Sequence, residues 1–266
     1  AVDTAVYSAP LSNSSSSVNG ASFAMAATAP GALASAFGSG FPAATSINAN
    51  AANLPLPTTL SGVSVRVNGL LAPLLFVGVG TQFGGAGAFQ INYQMPFETT
   101  PGVAFVEVLQ NGAAITSEFA TVRAMMPGVF SFAQNGQGQG AVLNQNNTTN
   151  DAARPEARGR VLQIFATGTG GQLLNSLTRQ TISLATGAAA PLPASGNDPL
   201  YMTATTPVVT LGGVAATVEF SGLAPGFVGL WQLNVRIPAN APTGNAVPLV
   251  IRADNRTSNQ TTVAIN

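Results

Sequence analysis

Three reactive residue types are missing from this chain: cysteine, histidine and lysine, so that all nine basic residues are arginine. Without cysteine there is no thiol nucleophile, no zinc–thiolate site and no disulfide. Without histidine there is no ordinary general base near neutral pH and no imidazole metal ligand. Without lysine there is no Schiff base, no phosphate-loop lysine and no Ser–Lys dyad. What remains for catalysis is a carboxylate pair, or a Ser or Tyr hydroxyl with no evident base. Nine acids spread over 266 residues offer few such pairs, and a carboxylate hydrolase needs two about 5–10 Å apart across an open cleft. The composition points to a protein that is not an enzyme and carries no cofactor.

Charge is scarce as well. Charged residues make up 7% of the chain and the net charge is zero, against about a quarter charged in ordinary soluble domains. No basic field gathers nucleic acid or anionic lipid. The nearest approach to a patch, Arg154, Arg158 and Arg160 with Glu156 among them, reads as a solvated turn. A neutral, charge-poor surface resists association poorly. That is a liability in a monomer, but in a polymer subunit it removes repulsion between copies. Long apolar runs are also lacking. The stretch Ala21–Phe41 is broken by Pro30, Gly31, Gly38 and Gly40, so no membrane insertion is expected. The opening Ala1-Val-Asp fits a mature chain left by signal cleavage, which places the protein outside the cell or on its surface.

What the chain does have is itself, twice. Val65-Arg-Val-Asn-Gly-Leu-Leu-Ala-Pro-Leu-Leu-Phe-Val-Gly78 returns without a gap as Val209-Thr-Leu-Gly-Gly-Val-Ala-Ala-Thr-Val-Glu-Phe-Ser-Gly222. Gln90-Ile-Asn-Tyr-Gln-Met-Pro96 returns as Gln232-Leu-Asn-Val-Arg-Ile-Pro238. Upstream, Pro30-Gly31 followed by Phe37 and Gly40 corresponds to Arg158-Gly159 followed by Phe165 and Gly168. Three blocks in one order mean a duplicated module of about a hundred residues. Residues 18–127 form the first module and 128–266 the second.

Within the modules, short runs rich in Val, Phe and Ile alternate with turn residues. They include Val63–Val67, Phe89–Gln94, Ala104–Leu109 and Ser117–Val122, then Arg160–Ala166, Val208–Leu211, Leu230–Ile237 and Thr261–Ile265. Asn68-Gly69, Asn111-Gly112 and Gly212-Gly213 are hairpin signals. No stretch sustains helical spacing with caps. Ala43–Ala52 is the one candidate for a short helix, hemmed in by Pro42, Pro55 and Pro57. The pattern predicts antiparallel β-sandwiches.

Residues 1–17 lie outside the repeat. Val2, Thr4 and Val6 fall on one face of an extended segment, with Ala1, Asp3, Ala5 and Tyr7 on the other. Pro10 ends it, and Ser12–Ser17 reads as a flexible spacer. The segment is either a strand folded back on its own module or a donor strand that pairs with a neighbouring copy.

The elements Val209–Val218, Leu233–Pro238 and Gly244 resemble the immunoglobulin-like modules called IPT/TIG domains. Residues 18–266 more closely resemble a two-module unit at the C-terminus of large secreted acidobacterial proteins of unknown function. That resemblance rests on Val18-Asn-Gly-Ala-Ser-Phe23, Gln90–Pro96, Pro127-Gly-Val-Phe130 and Leu223-Ala-Pro-Gly-Phe-Val-Gly229. It implies two tandem immunoglobulin-like antiparallel sandwiches and no catalytic residues. Two departures stand out: glycine-rich Gly78–Gly87 is inserted before Gln-Ile-Asn, and the unit stands behind a short tail rather than a long multidomain protein.

Other candidate sites have plain alternatives. Gly136–Gly140 and Gly168–Gly171 precede no credible helix and read as turns, not phosphate cradles. Asn144–Asp151 matches no calcium loop. Trp231, Tyr93, Phe220 and Phe227 line either a sugar platform or the core, and the repeat favours the core for the first two. Asn13, Asn146, Asn147, Asn255 and Asn259 open Asn-x-Ser/Thr triplets. The expected function is an extracellular structural protein, a filament subunit that partners other copies of itself. Val2, Thr4, Val6 and Tyr7 are its polymerisation residues, since strand addition at a sheet edge propagates head to tail. The alternative is a monomeric module that adheres to a glycan or another surface protein.

Overall fold

A computed structural model describes residues 15–25 and 27–266. Among them there is no α-helix, and one 3-10 turn at Thr81–Phe83; all strand pairs are antiparallel. Among the described residues no helix is long and apolar enough to cross a membrane. The N-terminal half builds two sheets. One runs in the order Ser15–Asn19, Leu33–Ser39, Ala88–Gln94, Leu74–Val79, Ile47–Asn50; the other runs Leu70–Ala72, Val63–Val67, Gly102–Gln110, Ala113–Val122. Their facing side chains, among them Val65, Val67, Val77, Phe89, Ile91, Ala104 and Val106, bury one apolar cluster that ends at Val122. The C-terminal half has its own cluster, from Met125 to Ile265.

The repeat seen in the residues reappears as strand register. Leu33 pairs with Gln94, and Val161, its counterpart, with Arg236. Leu74 pairs with Tyr93, and Val218 with Val235. The bulge between Leu74 and Phe76 recurs between Val218 and Phe220. A parallel bridge joins Thr28 to Val122, and its counterpart joins Glu156 to Ile265. Asn68-Gly69 and Gly212-Gly213 each have two positive φ angles, as a two-residue type I′ hairpin requires.

One difference lies at the point where the chain crosses between sheets. In the C-terminal half a single strand, Val214–Leu223, bonds first to Val209–Leu211 and then to Trp231–Arg236. In the N-terminal half Pro73 stands where Thr217 does, and the strand is split into Leu70–Ala72 and Leu74–Val79. Proline has no N–H for the ladder.

Two local expectations are corrected. Ile47–Asn50 is an edge strand paired with Phe76–Val79, not part of a helix; its main chain bonds to a neighbouring strand, which a lone stretch too short to sustain a helix cannot match. Ser15–Ser17 is not a spacer. It is the start of an edge strand against Ala36–Gly38, because the Ser15 and Ser17 hydroxyls and the Ser17 N–H find partners in the fold, as set out below.

Candidate functional site

Val2, Thr4, Val6 and Tyr7 lie outside the described residues. The chain enters the described fold at Ser15, and the surroundings of that entry point form the candidate site. Ser15–Asn19 is the edge of one sheet and Ala113–Val122 the edge of the other, and the two edges meet along a seam. Thr116 donates its hydroxyl to Ser15 Oγ at 3.4 Å. Tyr93, fully buried two strands away in the same sheet as Ser17, donates its phenol to Ser17 Oγ at 2.8 Å. The backbone N–H of Ser17 donates to Glu118 Oε2 at 2.9 Å.

Glu118 sits on an edge strand at the same alternation as the buried Ala120 and Val122, so its carboxylate points into the seam. Its other oxygen, Oε1, is buried with no hydrogen-bond partner. Burial raises the Glu118 pKa above the ordinary carboxylate value, and the bonds from Ser17 oppose that only in part. Burial also holds the Tyr93 hydroxyl far above its usual range, and the Glu118 charge pushes the same way. An inward charge on an edge strand is a known guard against indiscriminate pairing.

Next to Glu118 the rim faces outward. Phe105 donates its N–H to Asn68 Oδ1 and accepts the Asn68 N–H at its carbonyl, both at 2.8 Å. Both main-chain groups of Phe105 therefore turn away from Phe119, with which it is in register. That makes a non-hydrogen-bonded pair, and it aims the N–H and C=O of Phe119 out from the sheet edge. Phe119 and Val103, on the solvent face here, are 56% and 69% exposed.

In the C-terminal half the corresponding rim, Thr261–Ile265, is covered by the chain itself. Gly140 donates its N–H to Thr262 O, and Thr262 donates to Gly138 O, at 2.9 and 2.8 Å. This makes Gln139 a parallel neighbour of Thr262. The covering loop, residues 130–141, interrupts the edge between Gly128–Val129 and Val142–Leu143. By register against the next strand it stands where the N-terminal half has Ser16 alone.

The two halves meet at a second polar junction. Gln94, wholly buried, accepts the Gly187 N–H at 2.7 Å. Leu33 donates its N–H to Thr167 Oγ1, which in turn donates to Gly229 O. Within the first half, Asn19 donates its amide to Met126 O, which steadies the chain as it leaves toward the second. Gly168 packs on Met126 O so closely, at φ 95°, that no side chain fits there. Phe97 of the first half joins Leu173, Ala190 and Leu223 of the second in one apolar cluster. Beside this junction lies an open cavity of about 500 Å³, with Phe97, Pro101, Thr99, Gln172 and the carboxylates Glu98 and Asp254 on its wall.

The remaining candidates resolve into structure. Trp231 is fully buried and donates its indole N–H to Ser221 Oγ at 2.9 Å, while Phe227 is exposed and Phe220 half-buried. Asn144–Asp151 is a turn whose amides bond inward: Asn150 donates to Asn144 Oδ1 and to Ala264 O. Asp151 pairs with Arg154, whose charge and hydrogen bond lower its pKa. Among the described residues no three acids gather as a metal site. Glu118 carries no motif in the sequence; its one signal there is its parity with Ala120 and Val122. No family model matches the chain, and no curated protein is significantly similar to it.

Proposed function

We propose that this chain is an exported structural subunit of two tandem immunoglobulin-like sandwiches of the IPT/TIG kind, and that it polymerises with copies of itself by β-strand addition. The observation that carries this reading is the way the chain enters the fold. Ser15–Asn19 is already an edge strand, so the described fold begins at a sheet rim, directly after the segment that carries the donor residues. Val2, Thr4, Val6 and Tyr7 are the side chains it brings to the next subunit. The buried junction between the halves is compatible with this reading, since it lets each subunit act as one unit. So does the scarcity of charge, which leaves little repulsion between copies. Deleting residues 1–10 and imaging both proteins by negative stain tests the proposal. Filaments from the full chain and single particles from the truncated one are expected; equal fibres from both sink the role of the segment.

The cavity beside the junction favours a second reading, a surface module that binds a glycan. Its wall combines an aromatic ring, hydroxyls, an amide and two carboxylates, the mixture of apolar and convergent polar groups that suits a small ligand. This reading expects a monomer retained on immobilised polysaccharide, with retention lost in Phe97→Ala.

A further inference from the structure

We infer that each half carries a binding face for an uncharged polysaccharide, built on the solvent side of one sheet. It stands beside the glycan reading above but on different residues from the cavity. The pattern is the same in both halves. On the central strand of the first, Gln90 and Asn92 alternate with buried Phe89, Ile91 and Tyr93, so they point away from the core and are half-buried. Gln90 donates Nε2 to Asn92 Oδ1 at 3.1 Å. In the second half Gln232 and Asn234, alternating with buried Trp231, Leu233 and Val235, make the same bond at 2.9 Å. Phe37 stands beside Gln90 on one neighbouring strand and Gly78 on the other; Phe165 and Gly222 flank Gln232 alike. A phenyl ring packs on each glycine, Phe83 of the glycine-rich insertion on Gly78 and Phe220 on Gly222. The halves differ at their rims and at the junction, and agree here.

What stays unbonded names the ligand. Among the described residues Gln90 Oε1 and Asn92 Nδ2 have no partner, and neither do Gln232 Oε1 and Asn234 Nδ2. Each face thus sets one acceptor and one donor between two rings, across two strand spacings or roughly 10 Å. Sugar hydroxyls satisfy such a pair, and the C–H face of a pyranose packs on phenyl. Charge decides between polymers. None of the five strands in the first sheet contains a charged residue. In the second half the charges on the strands beside the amides, Arg236 and Glu219, pair with each other. An ionic polymer would lose hydration here with no counter-charge to replace it.

Native affinity electrophoresis through gels holding galactomannan, hydroxyethylcellulose or alginate tests this. Retardation by a neutral polymer and none by alginate is expected. No retardation by either neutral polymer, or a stronger effect of alginate, overturns the inference. Asn92→Asp and Asn234→Asp keep the oxygen that accepts the glutamine amide and replace the free donor with a charge. The double variant therefore melts near wild type, and its affinity falls roughly tenfold or more. Gln90→Ala with Gln232→Ala removes the free acceptors without adding charge and gives a similar loss. Asn197→Asp, the same charge change in an exposed loop, leaves binding as it was; an equal loss there refutes the faces. Phe97→Ala separates them from the cavity. Retention abolished by that change but kept in the aspartate variants refutes the faces and leaves the cavity reading standing. Self-association that the aspartate changes abolish, with no polymer bound, makes the faces contacts between copies and refutes the inference too.

Discussion

Gln94 and Arg236 hold the same place in the repeat and lead opposite lives. Each ends a central strand and stands opposite its counterpart, Leu33 or Val161. Gln94 is buried at the junction, gripping Gly187 and the Gly31 carbonyl; Arg236 is exposed and reaches Glu219 and the Gly159 carbonyl. The same divergence runs along the seam. Tyr93 reaches Ser17 where Val235 has nothing to donate, and inward Glu118 occupies the region that Thr261 holds in the other half. The two halves share their registers and differ in the residues that face a neighbour. The C-terminal half closes its rim with its own loop; the N-terminal half guards its rim with a buried carboxylate.

The largest effect expected from breaking this comparison is in the cores. Phe89 and Trp231 are counterparts, both fully buried, and truncation to Ala costs about 3–5 kcal/mol in each case. Trp231→Ala is the worse, since it also deprives Ser221 of its indole donor. Denaturant unfolding followed by far-UV circular dichroism measures both, and equal losses would mean that the hydrogen bond adds nothing. Next comes the Gln94 and Arg236 pair. Gln94→Ala leaves the Gly187 N–H buried without its acceptor and costs about 1–3 kcal/mol. Arg236→Ala breaks a surface ion pair and costs about 1 kcal/mol or less. A reversed order would show that the junction contributes little.

Glu118→Gln sharpens the contrast between the rims. The folded state raises the Glu118 pKa above its ordinary 4.5. The carboxyl's contribution is thus fully present below that value and is lost as pH rises through the folded pKa. Wild-type stability declines from about pH 4.5 upward. The glutamine variant, neutral throughout and still able to accept the Ser17 N–H, melts higher at neutral pH and flattens the profile. Melting curves across pH 4–8 that run parallel for the two proteins would contradict this. The smallest effect is expected from Pro73→Thr, which gives the N-terminal half the residue its counterpart has. It changes stability by less than about 1 kcal/mol, while joining Leu70–Ala72 to Leu74–Val79 as one strand. Slowed amide exchange at residues 73 and 74 reads that out.

Much of the architecture is legible in the residues. Alternation in Val63–Val67 and Thr261–Ile265, and the Asn-Gly pairs, mark strands and hairpins that fold as such. Leu33–Ser39 is less readable, because Leu-Ala-Ser-Ala-Phe-Gly-Ser has no β-branched residue. It is a strand because two neighbours sandwich it in the sheet. Ser15–Ser17 misled for a related reason. Serine runs are flexible when nothing bonds them, and here Tyr93, Thr116 and Glu118, all distant in the chain, do so.

By itself the sequence determined the internal repeat, the β-rich character and the absence of cysteine, histidine and lysine, since each is a matter of residue type and short-range spacing. Only the tertiary structure decided which Glu points into a seam, which of two equivalent positions lies at the junction, and that Gly138–Gly140 lie along the C-terminal rim. Those outcomes depend on main-chain partners a hundred residues away along the chain, and periodicity carries no information about them.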